Sequence, residues 1–420
     1  MLKSMLSALS SPELRKKIGF TAFILLVYRL GSYVPVPGVN SAAIQNAINS
    51  RGSSLVGLLN LFAGGALTRF AVFALGIMPY ITASIVLQLL TVVIPRLEEL
   101  QKEGEAGQAK VTQYTRYFTV ALAAVQSVAY VLYFKSQGGL PGITLGKVYI
   151  IAISLTAGTT LVMWLGELIT QRGIGNGISL IIFANIVSSL PAGVSAWLNL
   201  TPIIQIVIFA IALGVVVGVV FINEGQRRIP IQYAKRMVGR RMTTGGQTYL
   251  PLRVNMAGVM PVIFASSVVI LPATITEFAG RGSIFQSIST FLAPGSWYYI
   301  IFEGLLIVVF TYFYTAIVFN PVEQSENLKK NGGFIPGVRP GRPTAVYLDR
   351  VLTRLTLPGA VYLALIAMLP SIVFKYLPQS NVFFGVLGGT SILIVVGVAL
   401  DTIRQMEAQL MMRSYEGFLR

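Results

Sequence analysis

The sequence predicts an all-α polytopic membrane protein. The expected architecture is ten transmembrane helices in two pseudo-symmetric inverted five-helix halves, with a short re-entrant plug helix and cytoplasmic hairpin loops. Three observations predict it. Of the 420 residues, 54% are hydrophobic and 11% charged, where a soluble domain carries about a quarter charged. Mean hydropathy is +0.73. Apolar runs fit to cross about 30 Å of hydrocarbon recur along the whole chain. Positive charge alternates between the segments that join them.

Taken in order, the expected spans are Ile18–Val34, Phe70–Ile94, Tyr117–Phe134, Val148–Leu168, Ile178–Leu190, Pro202–Ile222, Ala257–Phe278, Trp297–Phe319, Leu355–Tyr376 and Val382–Leu400. The fifth is the shortest. The basic N-terminus, MLKSMLSALSSPELRKK, precedes a first span that ends in VPVPGV rather than a small-residue cleavage site, so that span reads as retained. With the N-terminus inside, the outer segments hold only Arg51, Arg69, Lys135, Lys147, Arg281 and Lys375. Arg29 lies within the first span, and every other Lys and Arg is inside. The positive-inside rule therefore puts both termini in the cytoplasm. The net charge of +17 becomes a property of one face. Five spans is an odd number, so a second set of five must enter from the opposite side, as in an inverted repeat. Residues 1–200 form the expected N-terminal half, 201–402 the C-terminal half and 403–420 a cytoplasmic tail.

Composition also excludes chemistry. The chain has no cysteine and no histidine, which removes disulfides, thiol nucleophiles, histidine-based triads and histidine-ligated metals. No G-x-x-x-x-G-K-[ST] loop occurs. Arg29, Glu167, Glu277, Glu303 and Asp401 all fall near span ends, where they can snorkel. No pair of acids sits in mid-span at helical spacing. An intramembrane protease or an ion-coupled carrier would need such groups. The chain reads as a non-enzyme without cofactor or metal.

What the spans do offer is apolar residues beside helix breakers. The stretch from Leu55 to Leu67 is apolar but too short to cross, contains Gly64-Gly65 and is closed by Arg69. Such a piece belongs inside protein or beside water, and a plug over residues 55–69 fits it. Ile77 and Ile81 flank Pro79 just after Gly76, four apart and so on one helix face. Ile178 and Ile182 repeat the spacing behind Gly173, Gly175 and Gly177. Taken singly, each pair is ordinary packing. Together they propose an apolar constriction that gates by dewetting. Thr82, Gln88, Gln126 and Asn255 lie inside spans; such residues are usually interhelical glue worth about 0.6 kcal/mol each.

Two inner segments exceed what a connection needs. Residues 223–255 have strand character in RIPIQYA and QTYLPLRV around Gly239, Gly245 and Gly246, which predicts a basic β-hairpin. Residues 320–350 contain GGFIPGVRPGRP, which sets Arg339 on a stiffened tip. Most basic loops simply satisfy topology and the anionic inner leaflet. The length and turn chemistry of these two favour a docking surface for a large acidic partner, RNA or protein.

LFAGGALTRFAVFALGIMPYITASIVLQLLTVV, YTRY, MWLGELITQRGIGNGISLIIFANIV, EGQRRIPIQYAKR, PLRVNMAGVMPVIFASS, FTYFYTAIVFNP, NLKKNGGFIPGVRPGRPT and TRLTLPGA, in this order, closely resemble the bacterial SecY family. That family forms the channel of the Sec protein translocon. The resemblance implies an hourglass channel through which unfolded preproteins cross and from which hydrophobic segments and signal sequences leave sideways into the lipid bilayer. By motif it implies a pore ring of Ile77, Ile81, Ile178, Ile182, Ile263 and Ile394. It implies a plug including Leu55, Leu58, Leu61, Phe62, Gly64, Gly65 and Arg69. It implies a lateral gate between spans 2–3 and 7–8, with Thr82, Gln126 and Asn255 as its polar cluster. Lys235, Arg236, Arg240, Arg241 and Arg339 match positions that dock the SecA motor ATPase or the ribosome, through rRNA and ribosomal proteins. SecE and SecG are the implied small membrane subunits, and the bacterial inner (plasma) membrane is the implied location. Residues 137–146 and 280–296 carry no assignment. The competing readings are an inverted-repeat transporter, which a midplane acid would favour, and an intramembrane enzyme, which the missing residue types disfavour.

Overall fold

The structure is a computed structural model that describes residues 11–39, 44–45, 59–60, 62–136, 139–140, 144–233, 237–238, 241–242, 247–278, 291, 296–376 and 389–416. Helix α1 spans Pro12–Gly31, with Pro12 in its first turn and Ser11 accepting from the Leu14 N–H. Ten helices coincide, in part or whole, with the expected spans. They are α1, α2 (Met78–Val93), α4 (Glu105–Ser136), α5 (Leu145–Arg172), α6 (Gly177–Leu198), α7 (Pro202–Glu224), α8 (Met260–Phe278), α9 (Trp297–Val318), α11 (Arg342–Tyr376) and α12 (Gly389–Glu416). Among the described residues, six helices are long and apolar enough to cross a membrane, or seven with the bent pair of α2 and α3 (Pro95–Lys102). Charge near both ends of α1 interrupts its apolar run, and α12 is described only from Gly389.

Three expectations need correction. Phe70–Ile94 is not one continuous helix. Its first part is turns, Gly76 adopts φ +57°, and the helix begins only at Met78 with Pro79 in its first turn. Phe70 itself sits at φ +48°, in the left-handed region, wholly buried. At the other end Pro95 cannot continue the ladder and drives Ile94 to an extended conformation. The chain bends there by 99°. Second, span 5 is not short: α6 runs through Pro191 to Leu198. Third, spans 3 and 9 project well past the expected ends, because α4 starts at Glu105 and α11 at Arg342.

The two long inner segments join into one sheet. Strands β1 (Gln226–Tyr233) and β4 (Gln247–Arg253) form the expected antiparallel hairpin, from Gln226 opposite Arg253 to Gln232 opposite Gln247. Strands β2 (Met237–Val238) and β3 (Arg241–Met242) pair with each other antiparallel in a separate two-stranded sheet. The sequence did not indicate β5 (Gly333–Phe334), which adds to the free edge of β1 and ties the second segment to the first. Between hairpin and bilayer, Ile229, Leu252, Phe319, Ile335, Leu348, Val351 and Leu352 form an apolar cluster of their own. It fixes the sheet to α11, and to α10 (Pro321–Lys330) through the Phe319 turn.

The bundle meets itself along two seams. On one side α8 packs against α2 and α4; on the other α12 packs against α6. A single apolar core runs between them and holds residues of both halves. The outward face of α7 exposes Ile203, Ile206, Phe209 and Phe221, as a lipid-facing helix does.

Candidate functional site

The site is built where the N-terminal half folds back on itself. Leu59, Asn60 and Phe62 are helical and the chain passes into turns from Ala63, with Gly64 and Gly65 at φ +62° and +82°. Thr68 stitches the turn, donating its N–H to Asn60 Oδ1 at 3.1 Å and its hydroxyl to Gly65 O at 2.9 Å. Phe62, Ala63, Ala66 and Leu67 are buried in the core. Phe70 meets Phe134 of α4 edge-on at 5.3 Å. Arg69 lies over the Tyr33 ring, 4.1 Å from its centroid. Leu55, Leu58 and Leu61 lie outside the described residues.

Arg29 does not snorkel. Its Nη1 donates to Gly64 O at 2.7 Å. Asn185, in the middle of α6, donates its side-chain N–H to Phe62 O at 2.6 Å and is fully buried. Asn185 lies inside span 5 and has no role among the sequence-based expectations. An amide in mid-span beside an apolar plug was the available signal.

The isoleucines share one apolar core. Ile77, Ile81, Ile182, Ile263 and Ile394 are all buried in the one core, with Ile178 half-buried against it. They come from α2 and the residue before it, from α6, α8 and α12. Gly166 of α5 backs the group: a Cβ there would lie 3.4 Å from Ile178 and 3.7 Å from Ile77. The GIGNGIS run is explained by the same crowding. Asn176 caps α6 by accepting from the Ile178 and Ser179 N–H groups, and Gly177 packs so tightly that a Cβ would strike Gly166 O.

Beyond Ile81, Ile178, Ile182 and Ile263 opens a cavity of about 370 Å³. Among the described residues its walls carry Gln88, Thr91, Gln101, Gln108, Thr112 and Thr115, and no ionisable side chain except the Tyr80 and Tyr314 phenols. In a chain of net charge +17 this neutrality is a distinct local property.

The three expected gate residues do not share a hydrogen bond among the described residues. Thr82 is buried and donates its hydroxyl to Met78 O in its own helix. Gln126 is half-buried on α4. Asn255 precedes α8 and donates its amide to Asn223 Oδ1 at 2.9 Å and to Gly258 O at 3.0 Å. It belongs to an inner cluster with Arg404, which donates to Asn223 O and Glu224 and lies 3.6 Å from Asp401. Burial pushes the Asp401 carboxyl up from the usual aspartate value, and Arg404 and Arg253 pull it back.

Two more acids depart from the snorkelling expectation. Glu167 binds Arg116 through two contacts, at 2.9 and 2.7 Å, and so joins α5 to α4. Glu303 is buried, 3% exposed, within two turns of the start of α9. Of the docking residues, Lys235, Arg236 and Arg240 lie outside the described residues, and Arg241 is placed in β3. Arg339 is exposed, between Gly337 at φ +82° and Gly341 at φ +98°, with its carbonyl accepting from the Thr344 hydroxyl at 2.9 Å. Among the described residues no cluster of acids could hold a metal.

A model of the SecY family matches residues 71–403. The chain belongs to the SecY family. Curated SecY relatives named as protein translocase subunits match along their full length and along all of this chain. They include those of Mycobacterium tuberculosis, 50% identical over 441 residues, and Streptomyces galbus, 50% over 444 residues. That of Corynebacterium glutamicum is 48% identical over 440 residues. As a SecY-family member the chain is a protein translocase subunit and a multi-pass membrane protein. The fold agrees with a solved protein-conducting channel at a TM-score of 0.65 and 16% identity, over 93% of this chain and 91% of that one. It agrees over the same shares with a SecY structure at 0.65 and 18%, whose title assigns its plug domain to stabilising the closed state. Sec61 in a canine ribosome–channel complex matches at 0.59 and 15%, again over 93% and 91%.

Proposed function

We propose that this subunit is the channel itself, and that it passes unfolded preproteins through the isoleucine ring and releases hydrophobic segments sideways. The observation that supports this reading is that five of the six isoleucines share one apolar core with the residues of the proposed plug, the sixth packs against it, and four of them line a neutral cavity. Flexible apolar side chains seal around any chain and offer it no hydrogen bond. A charged ring would hold some segments and repel others. Ions are excluded because an apolar constriction dewets. Sorting follows from partition: an apolar residue gains about 0.3–0.6 kcal/mol in lipid and a central charge costs about 2.5–3.5. A seam that opens to lipid reads that difference, and α8 against α2 and α4 is the seam this reading uses.

The subunit does no covalent chemistry in this reading. Energy comes from SecA or a translating ribosome docked on the β1–β4 hairpin and the Arg339 tip. SecE and SecG complete the complex in a bacterial plasma membrane, with both termini cytoplasmic. The groove of about 730 Å³ between α4 and α5, lined by Ala124, Ala152, Ala157, Ser127, Thr156 and Trp164, is a seat for one accessory helix. Residues 1–200 and 201–402 act as the two halves. The transporter alternative wants an acid at the midplane, and Glu303 lies too near the outer end of α9 for that role.

Ile81→Gly and Ile182→Gly should each raise basal ion conductance several-fold in reconstituted bilayers. Unchanged conductance across substitutions at all six positions would remove the ring.

A further inference from the structure

The buried turn at residues 62–70 carries a problem that its own backbone does not solve. Its internal hydrogen bonds use other carbonyls: Ala63 N–H bonds Leu59 O, Gly65 N–H bonds Asn60 O, and Ala66 N–H bonds Ala63 O. Phe62 O and Gly64 O are left facing the protein interior. A buried carbonyl without a donor is unfavourable, whereas the same carbonyl in water is satisfied at once. Seating the turn in the core therefore requires donors from elsewhere.

Two helices supply them from two sides. Arg29 of α1 reaches Gly64 O at 2.7 Å and Asn185 of α6 reaches Phe62 O at 2.6 Å. Arg29 brings a charge-assisted bond. Asn185 is wholly buried, so it has no alternative partner in bulk water. Glycines make room for both. A Cβ on Gly64 would strike Asn185 Oδ1 and come within 3.1 Å of Arg29 Nη1. A Cβ on Gly76 would lie 3.4 Å from Phe62 O.

We propose that Arg29 and Asn185 are positioning residues of the seal: a two-point polar latch that holds the plug shut by pairing carbonyls that only the seated plug buries. This rests on the reading of residues 55–69 as the plug of the pore, of which residues 59–60 and 62–69 are described. Apolar contacts alone would hold a plug in many registers. Two directed bonds to carbonyls two residues apart fix one.

The chain has no cysteine, so a single introduced thiol is an unambiguous reporter. Ala66→Cys lies in the seated turn and Ala360→Cys in α11, both fully buried in the native protein. In proteoliposomes, a membrane-impermeant maleimide should label neither quickly. Adding Asn185→Leu, which keeps the volume and removes the donor, should label position 66 roughly tenfold faster or more while position 360 stays protected. Arg29→Gln should act in the same direction. Unchanged labelling at 66 in both variants would overturn the latch. Labelling at both reporters in both variants would also overturn it, since the two residues would then hold the fold rather than the plug. A separate arm addresses the underlying reading: with a preprotein stalled in the channel, position 66 should become reactive in the native background. Protection there would mean the turn is no plug, whatever the latch variants do.

Discussion

Ile182 and Glu167 lie in neighbouring helices and illustrate two ways a side chain is tolerated in a bilayer. Ile182 is wholly buried and needs no partner. Glu167 needs one, and Arg116 provides it through a two-point contact. Glu167→Gln should lower thermal stability in detergent by about 1–3 kcal/mol, because it leaves a half-buried guanidinium uncompensated while the 42% exposure of Arg116 lets water soften the loss. An unchanged melting temperature would show that water already screens the pair. Two isoleucine pairs stood out in the sequence because four-residue spacing beside glycine is a local pattern, whereas Ile263 and Ile394 were reached only through the family resemblance. The roles of Arg29 and Asn185 were not legible, because their acceptors lie 35 and 123 residues away. A lone polar residue in a span looks the same whether it snorkels, glues helices or pairs a carbonyl.

At the scale of elements, hydropathy marked stretches that coincide with helices, six or seven of them fit to cross a membrane among the described residues, but not where each helix starts and stops. Phe70–Ile94 is apolar throughout, and apolarity is blind to the left-handed residues at Phe70 and Gly76 that delay the helix to Met78. The β1–β4 hairpin was legible from strand-forming flanks around glycines. Its third strand was not, since two residues carry no period. Gly333 makes that strand possible: a Cβ would sit 3.0 Å from the Tyr233 ring and 3.2 Å from Ile231. Gly333→Val should therefore detach β5 and speed hydrogen exchange at Gln232 and Tyr233, while the amides paired across β1 and β4 keep their protection. Loss of protection throughout β1 would instead make β5 the keystone of the sheet. The Arg339 tip belongs to the same tied unit. Arg339→Glu should weaken motor-driven transport of preproteins and leave membrane insertion of the subunit itself intact; normal transport by this variant would refute the docking role.

For the molecule as a whole, the two seams are expected to do different work. Gly175 and Thr402 meet on the α6–α12 side, where a Cβ on residue 175 would lie 3.3 Å from Thr402 Oγ1. On the proposed reading the α6–α12 side stays closed, so a disulfide between cysteines at 175 and 402 should leave lateral release of hydrophobic segments intact. A disulfide across the α2–α8 seam should abolish it. Equal inhibition by both would mean the halves do not part as a hinge. The expected orientation belongs to this scale, since charge alternation is a property of the whole chain. The pairing of halves was not legible, because contacts between α8, α2 and α4 leave no mark on local sequence.

The uncharged cavity wall has a kinetic meaning. A chain moving past fixed charges would fall into a wells-and-barriers profile set by its own sequence, and its speed would vary from one segment to the next. Glutamines, threonines and isoleucines make that profile shallow. On the proposed reading the wall acts as a low-friction bearing, and the pace of transit is left to whatever engine grips the chain outside.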